Sequence, residues 1–139
     1  MREELQERLF KKYPKIFRQK DLPMTETLMC WGIDCGDGWF WLIDKLCEHL
    51  QFQTDENGWP QVEAVQVKEK FGGLRFYIGS GSSEIFEVIS FAESLSESIC
   101  EDCGSIRDVG QTEGGWVWTL CAECAAAKKR EKIAEARTR

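Results

Sequence analysis

Apolar positions along the 139-residue chain follow first a helical period, then a period of two, then a helical one again. Leu5, Leu9 and Phe10 share one side of a helix over residues 2–12, which Pro14 interrupts. Residues 21–37 lose all period among Pro23, Gly32, Gly36 and several Asp residues, and a loop is expected there. Asp37 is placed as the N-cap of a helix over about 38–53. Trp39, Leu42, Ile43, Leu46, Cys47 and Leu50 form its stripe. Asp55 to Gly58 read as a turn. Alternation then sets in. Val62 to Phe71 and Leu74 to Ile78 flank Gly72-Gly73, a favoured two-residue hairpin turn. Helical spacing returns over 83–99 through Ile85, Val88, Ile89, Ala92, Leu95 and Ile99. Residues 105–120 read as a second hairpin whose last strand carries Trp116, Trp118 and Leu120 on its core side. A helix opens at Cys121 to Ala127 and continues into a basic tail.

These elements predict an α+β fold. An antiparallel hairpin is packed by the helices at 38–53 and 83–99, with a treble-clef or zinc-ribbon-like module at the C-terminal end. The regions 1–99 and 100–139 are expected to form one compact unit.

With Gly72-Gly73 as the turn, Lys70 stands opposite Arg75 and Lys68 opposite Tyr77. Val65, Val67, Phe71, Leu74, Phe76 and Ile78 then share the core face, and Lys68, Lys70, Arg75 and Tyr77 share the other. Glu69 falls on the apolar side. Like charges directly opposite one another destabilise a strand pair, so an anion is expected to compensate them. It is an acidic segment of this chain, a carboxylate of a protein partner, or a phosphate. In the phosphate case Tyr77 is placed to stack on a base.

Net charge changes the picture next. The chain has 18 basic and 24 acidic side chains, net −6, and residues 80–99 hold four acidic groups and no basic one. That balance lacks the electrostatic footprint of a non-specific nucleic-acid binder. A protein partner is therefore favoured over nucleic acid or a nucleotide. No apolar run approaches membrane-spanning length, and the charged first residues lack the apolar core of a secretory signal. A cytoplasmic, reducing setting is expected, in which seven cysteines argue for metal or buried thiols rather than disulfides.

Four of those cysteines form the most specific motif. Cys100-x2-Cys103 and Cys121-x2-Cys124 are separated by 17 residues. Two residues between thiols let one knuckle aim both sulfurs at a single ion, and two knuckles complete a tetrahedron. One structural Zn2+ is expected, since four thiolates leave no position for water or substrate. Other candidates are weaker. Cys47 sits on the core stripe and His49 two residues on points elsewhere, while Cys30 and Cys35 lack a partner pair for a second metal. Asp34, Asp37 and Asp44 would have to converge to support a metal-dependent hydrolase. Trp31, Trp41 and Trp59 fit the core least well and are expected to mark an interaction surface.

Asp34 to Phe40, Lys68 to Tyr77 and the terminal Cys pairs together resemble a group of small uncharacterised proteins of bacteriophages and bacteria. The resemblance spans about residues 30–127. It implies no activity. A phage setting would imply an accessory protein that engages a host protein, such as a defence component. The expected function is thus a non-enzymatic, zinc-containing binding protein.

Overall fold

The computed structural model describes residues 1–138. It is a mixed α+β protein with four helices. In chain order they and the strands are α1 (Glu3–Lys12), β1 (Ile33–Asp34), α2 (Phe40–Asn57), β2 (Ala64–Lys70), β3 (Gly73–Ile78), α3 (Ser83–Ser96), β4 (Val109–Gln111), β5 (Thr119–Cys121) and α4 (Ala122–Thr138). Short 3-10 turns cover 18–21, 29–31 and 37–39.

β2 is the central strand of a three-stranded sheet, antiparallel to β3 and parallel to β1. The row Ile33, Val67, Phe76 is buried and faces the helices. Leu9 and Phe10 of α1, the α2 stripe from Leu42 to Leu50, and Ile85, Ile89 and Ala92 of α3 complete the core. Trp39 is fully buried, and its indole N–H donates to the Ile99 carbonyl at 2.9 Å. β1 lies in the segment expected to be a loop. Two residues carry too little pattern to announce a strand, and β2 alone defines it.

The hairpin turn falls one residue earlier than Gly72-Gly73. Phe71 and Gly72 occupy it, at φ 53° and 83°, the positive pair that a type I′ turn demands. The register becomes Lys70 with Gly73, Glu69 with Leu74, Lys68 with Arg75 and Gln66 with Tyr77. Phe71, expected on the core face, is 77% exposed. Lys68, Lys70, Arg75 and Tyr77 still share a face, because shifting the turn by one residue preserves the alternation. Lys70 no longer opposes Arg75. Lys68 does, and Asp34 of β1 stands on the other side of Lys68. An acidic group of the chain itself therefore flanks the like-charge pair.

Asp37 does not cap α2, because the turn at 37–39 separates it from the helix start. Its carboxylate instead binds Arg2, through the backbone N–H at 2.9 Å and Nε at 2.8 Å. α2 continues through Asp55 to Asn57 and stops where Gly58 turns left-handed at φ 71°. α3 starts at Ser82, whose hydroxyl accepts from the Ile85 N–H. It also packs against the free edge of β3. The Leu74 N–H donates to Ser96 Oγ and the Phe76 N–H to Glu93 Oε2, both at 2.9 Å.

Candidate metal centre

β4 and β5 form the second antiparallel pair, and α4 begins directly after β5. Cys100 and Cys103 lie in the loop after α3, Cys121 ends β5, and Cys124 sits in the first turn of α4. Gly104 closes the first knuckle. It is left-handed at φ 81°, and its N–H donates to the Cys100 carbonyl at 2.9 Å. At the second knuckle the Cys124 N–H points at Cys121 Sγ over 3.5 Å.

The four sulfurs lie within 4.8 Å of one another, and Cys103 Sγ and Cys121 Sγ are 3.7 Å apart. That is far beyond a disulfide bond of about 2.05 Å. A tetrahedral ion with metal–sulfur bonds of about 2.3 Å has a sulfur–sulfur edge of about 3.8 Å. The cluster thus has the dimensions of a four-thiolate metal site. Burial opposes ionisation of Cys100, but backbone N–H groups of Cys103, Cys121 and Asp102 outweigh it and hold the thiol at about 7. Burial and the three neighbouring sulfurs push the Cys124 thiol up. A cation at the centre is what would let all four ionise together.

Residues outside the cysteine pattern seat the first knuckle. The Gly38 N–H donates to the Glu101 carbonyl at 2.7 Å, and the Gly36 N–H to Glu101 Oε2 at 2.9 Å. A Cβ on Gly38 would strike the Cys100 carbonyl and the Glu101 backbone, and one on Gly36 would strike the Glu101 carbonyl. Only glycine lets these two stretches of backbone touch. Glu101 is buried, and burial raises its carboxyl pKa against the pull of the Gly36 N–H. The hairpin tip docks on the same module. Fully buried Thr119 donates its hydroxyl to the Gly72 carbonyl, and Gln111 Nε2 donates to that hydroxyl at 3.0 Å. Thr119 O accepts from the Glu101 N–H. The sequence marked Gly36 only as loop material and Gly38 only as part of the Asp34 to Phe40 stretch, and it did not single out Glu101 or Thr119. The Gly-Asp-Gly spacing was the one available signal.

Among the described residues, the four cysteines are the only group of three or more His, Cys, Asp or Glu side chains gathered closely enough for a metal. Asp34, Asp37 and Asp44 do not converge. Asp44 is engaged by the Tyr13 hydroxyl at 2.7 Å and by Lys12. Burial pushes the Cys35 and Cys47 thiols well above their usual range, as inert core thiols. Cys30 points at the Thr27 carbonyl, and His49 packs edge-on against Trp59.

Two further surfaces carry exposed aromatic side chains. Lys68 and Lys70 border a hollow of about 250 Å³ that Phe71 and Trp116 also line. Trp116, expected in the core, is 58% exposed, because β5 spans only 119–121 and residue 116 lies in the loop before it. Trp118 is half-buried, with Lys128 Nζ 4.1 Å and Lys132 Nζ 4.8 Å from its ring centre. The other surface is a groove of about 600 Å³ between α2 and α3, floored by Leu46, Val88 and Ala92. Trp41 and Phe91, 61% and 66% exposed, form its walls. Trp41 belonged to the expected interaction surface, whereas Phe91 was missed. Its sequence signal was an aromatic residue lying off the core stripe of α3.

No family model, curated protein or solved structure matches the chain. No helix among the described residues is long and apolar enough to cross a membrane.

Proposed function

We propose that this chain is a zinc-stabilised, non-enzymatic binding protein whose partner is another protein seated between α2 and α3. The groove carries the reading. A contiguous apolar surface with two exposed aromatic rings is costly to leave in water, and such surfaces mark protein contacts. The thiolate set and its tetrahedral edge favour zinc over the hard cations. Four sulfurs would leave no open position, which favours a folding role for the ion in a treble-clef-like module. The resemblance to phage and bacterial proteins would make the partner a host protein.

Affinity capture from a host lysate tests the reading when run in parallel on the wild type and on Trp41→Ala/Phe91→Ser. A protein held by the wild type and lost from that variant, with equal melting of the two, supports it. Equal capture by both overturns it. For the metal, native mass spectrometry should count one zinc in the wild type and none in Cys103→Ser.

A second reading has its own observation. Phe71 and Trp116 stand exposed beside Lys68 and Lys70, an aromatic and cationic pairing suited to a single-stranded nucleic acid or a nucleotide. Lys68, however, is flanked by Asp34, and Glu69 lines the same hollow. The net charge of −6 also opposes a long polyanion.

A further inference from the structure

We infer that the occupant of the α2/α3 groove is a basic amphipathic helix of about three turns, contributed by the partner protein. This deepens the reading of the groove as the partner's seat and rests on it. Its length follows from α3. From Glu84 to Leu95 the wall rises about 16 Å, which spans three turns of a docked helix. Its shape follows from two packed helices, whose rows of side chains leave a furrow that receives a third row at i, i+3, i+4 and i+7. Leu46, Val88 and Ala92 form the apolar floor.

Its charge follows from the walls. Glu84 and Glu87 line the α3 side, and neither forms an ion pair among the described residues. No Lys or Arg occurs between Arg75 and Arg107, so nothing on α3 can neutralise them. On the α2 side Lys45 also lines the groove, but it leans to Glu48 at 3.5 Å, which it shares with Lys12, so the two carboxylates of α3 face one cation at most. The groove therefore offers unbalanced negative charge beside apolar surface. A helix with Lys or Arg along one flank of its apolar row complements both. The chain's own basic helix fits poorly. After Ala127, the only apolar residues of α4 are Ile133, Ala134 and Ala136, which give no row of large side chains.

Two synthetic 14-residue helical peptides test the inference, with leucines at i, i+3, i+4 and i+7 flanked by lysine in one and by glutamate in the other. Each is titrated calorimetrically into the zinc-loaded protein at low and at high salt. The lysine peptide should bind the wild type more tightly than the glutamate peptide. Glu84→Gln/Glu87→Gln should weaken it about three- to tenfold at low salt and remove most of its salt dependence. Phe91→Ser should abolish binding at either salt concentration. All three sites are exposed, and thermal melts matching the wild type verify that the variants fold. If both peptides bind equally and Phe91→Ser abolishes both, the groove stands as the seat and the charge inference is overturned. If the lysine peptide binds Phe91→Ser as well as wild type, its site is elsewhere and the inference fails. It also fails if sedimentation finds a dimer that Phe91→Ser dissociates, since a second copy then fills the groove.

Discussion

Gly38→Ala adds one methyl group to a chain of 139 residues, at the place where the backbone before α2 touches the first cysteine knuckle. The residue is not in the left-handed region, so alanine meets no dihedral obstacle there. The cost is steric. The new Cβ would strike the Cys100 carbonyl and the Glu101 peptide, which are backbone and cannot swing aside. Overpacking of this kind costs about 1–3 kcal/mol. Separating the two strands of backbone also stretches the 2.7 Å bond from Gly38 N–H to Glu101 O. A lost hydrogen bond of that type costs about 1 kcal/mol, for a total of about 2–4 kcal/mol. For a domain of this size the melting temperature should fall by about 6–12 °C. If the strain is relieved when the knuckle opens, zinc affinity should fall by about 30-fold or more. Differential scanning calorimetry of the zinc-loaded protein reads the first quantity, and competition with a chromophoric chelator reads the second. Gly110→Ala is the control, since a Cβ there meets nothing within 4 Å. A Gly38→Ala protein that melts with the wild type and holds zinc equally well would refute the idea that this contact seats the knuckle.

Three further outcomes are expected. Thr119→Val keeps the side-chain shape but removes the hydroxyl that links the hairpin tip to the metal module; chemical denaturation should show a loss of about 1–3 kcal/mol. The Asp44 carboxylate is opposed by burial, but the Tyr13 hydroxyl and Lys12 outweigh it and hold its pKa below the usual range. Its stabilisation is present above the unfolded Asp pKa of about 3.9 and is lost as pH falls through the lower folded value, so Asp44→Asn should lower stability at neutral pH and flatten that acid limb in pH-dependent melts. If a single strand binds at the hairpin tip, Phe71→Ala should cost about 1–3 kcal/mol of oligonucleotide affinity in fluorescence anisotropy, and Lys70→Ala should reduce the salt slope; unchanged affinity in both variants would remove that surface from consideration.

Local patterns were legible in the chain, and relations between distant residues were not. The cysteine spacing could be read because two residues between thiols is a property of one turn of backbone. The stripe from Leu42 to Leu50 and the alternation in β2 and β3 could be read because they repeat. The turn was misplaced because Gly72-Gly73 tolerates positive φ at both positions. What selects Phe71-Gly72 is long-range, namely the Val67 and Phe76 pairing with Ile33 beside it and the grip of Thr119 on Gly72. Asp37 looked like a cap because caps are judged from the next three residues, whereas its partner Arg2 lies 35 positions away. The roles of Gly36 and Gly38 were hidden for the same reason. Their neighbour in space is Glu101, 65 residues from Gly36. The helical stripes marked what faces inward, but the groove is formed by residues beside the stripes, and only the packing of α2 on α3 brings Trp41 and Phe91 to one furrow.

β3 is an edge strand, and an uncovered edge is where one folded molecule can template the unfolding and stacking of the next. Here the outward N–H groups of Leu74 and Phe76 are already taken by Ser96 and Glu93. α3 thus acts as a side-chain substitute for a fourth strand and occupies two of the donors that a neighbouring strand would need. The protection is also all or none. Both acceptors sit on the last turns of a single helix, so an event that lifts α3 bares both donors at once. Colloidal stability of this protein should therefore track the docking of that helix more closely than it tracks net charge.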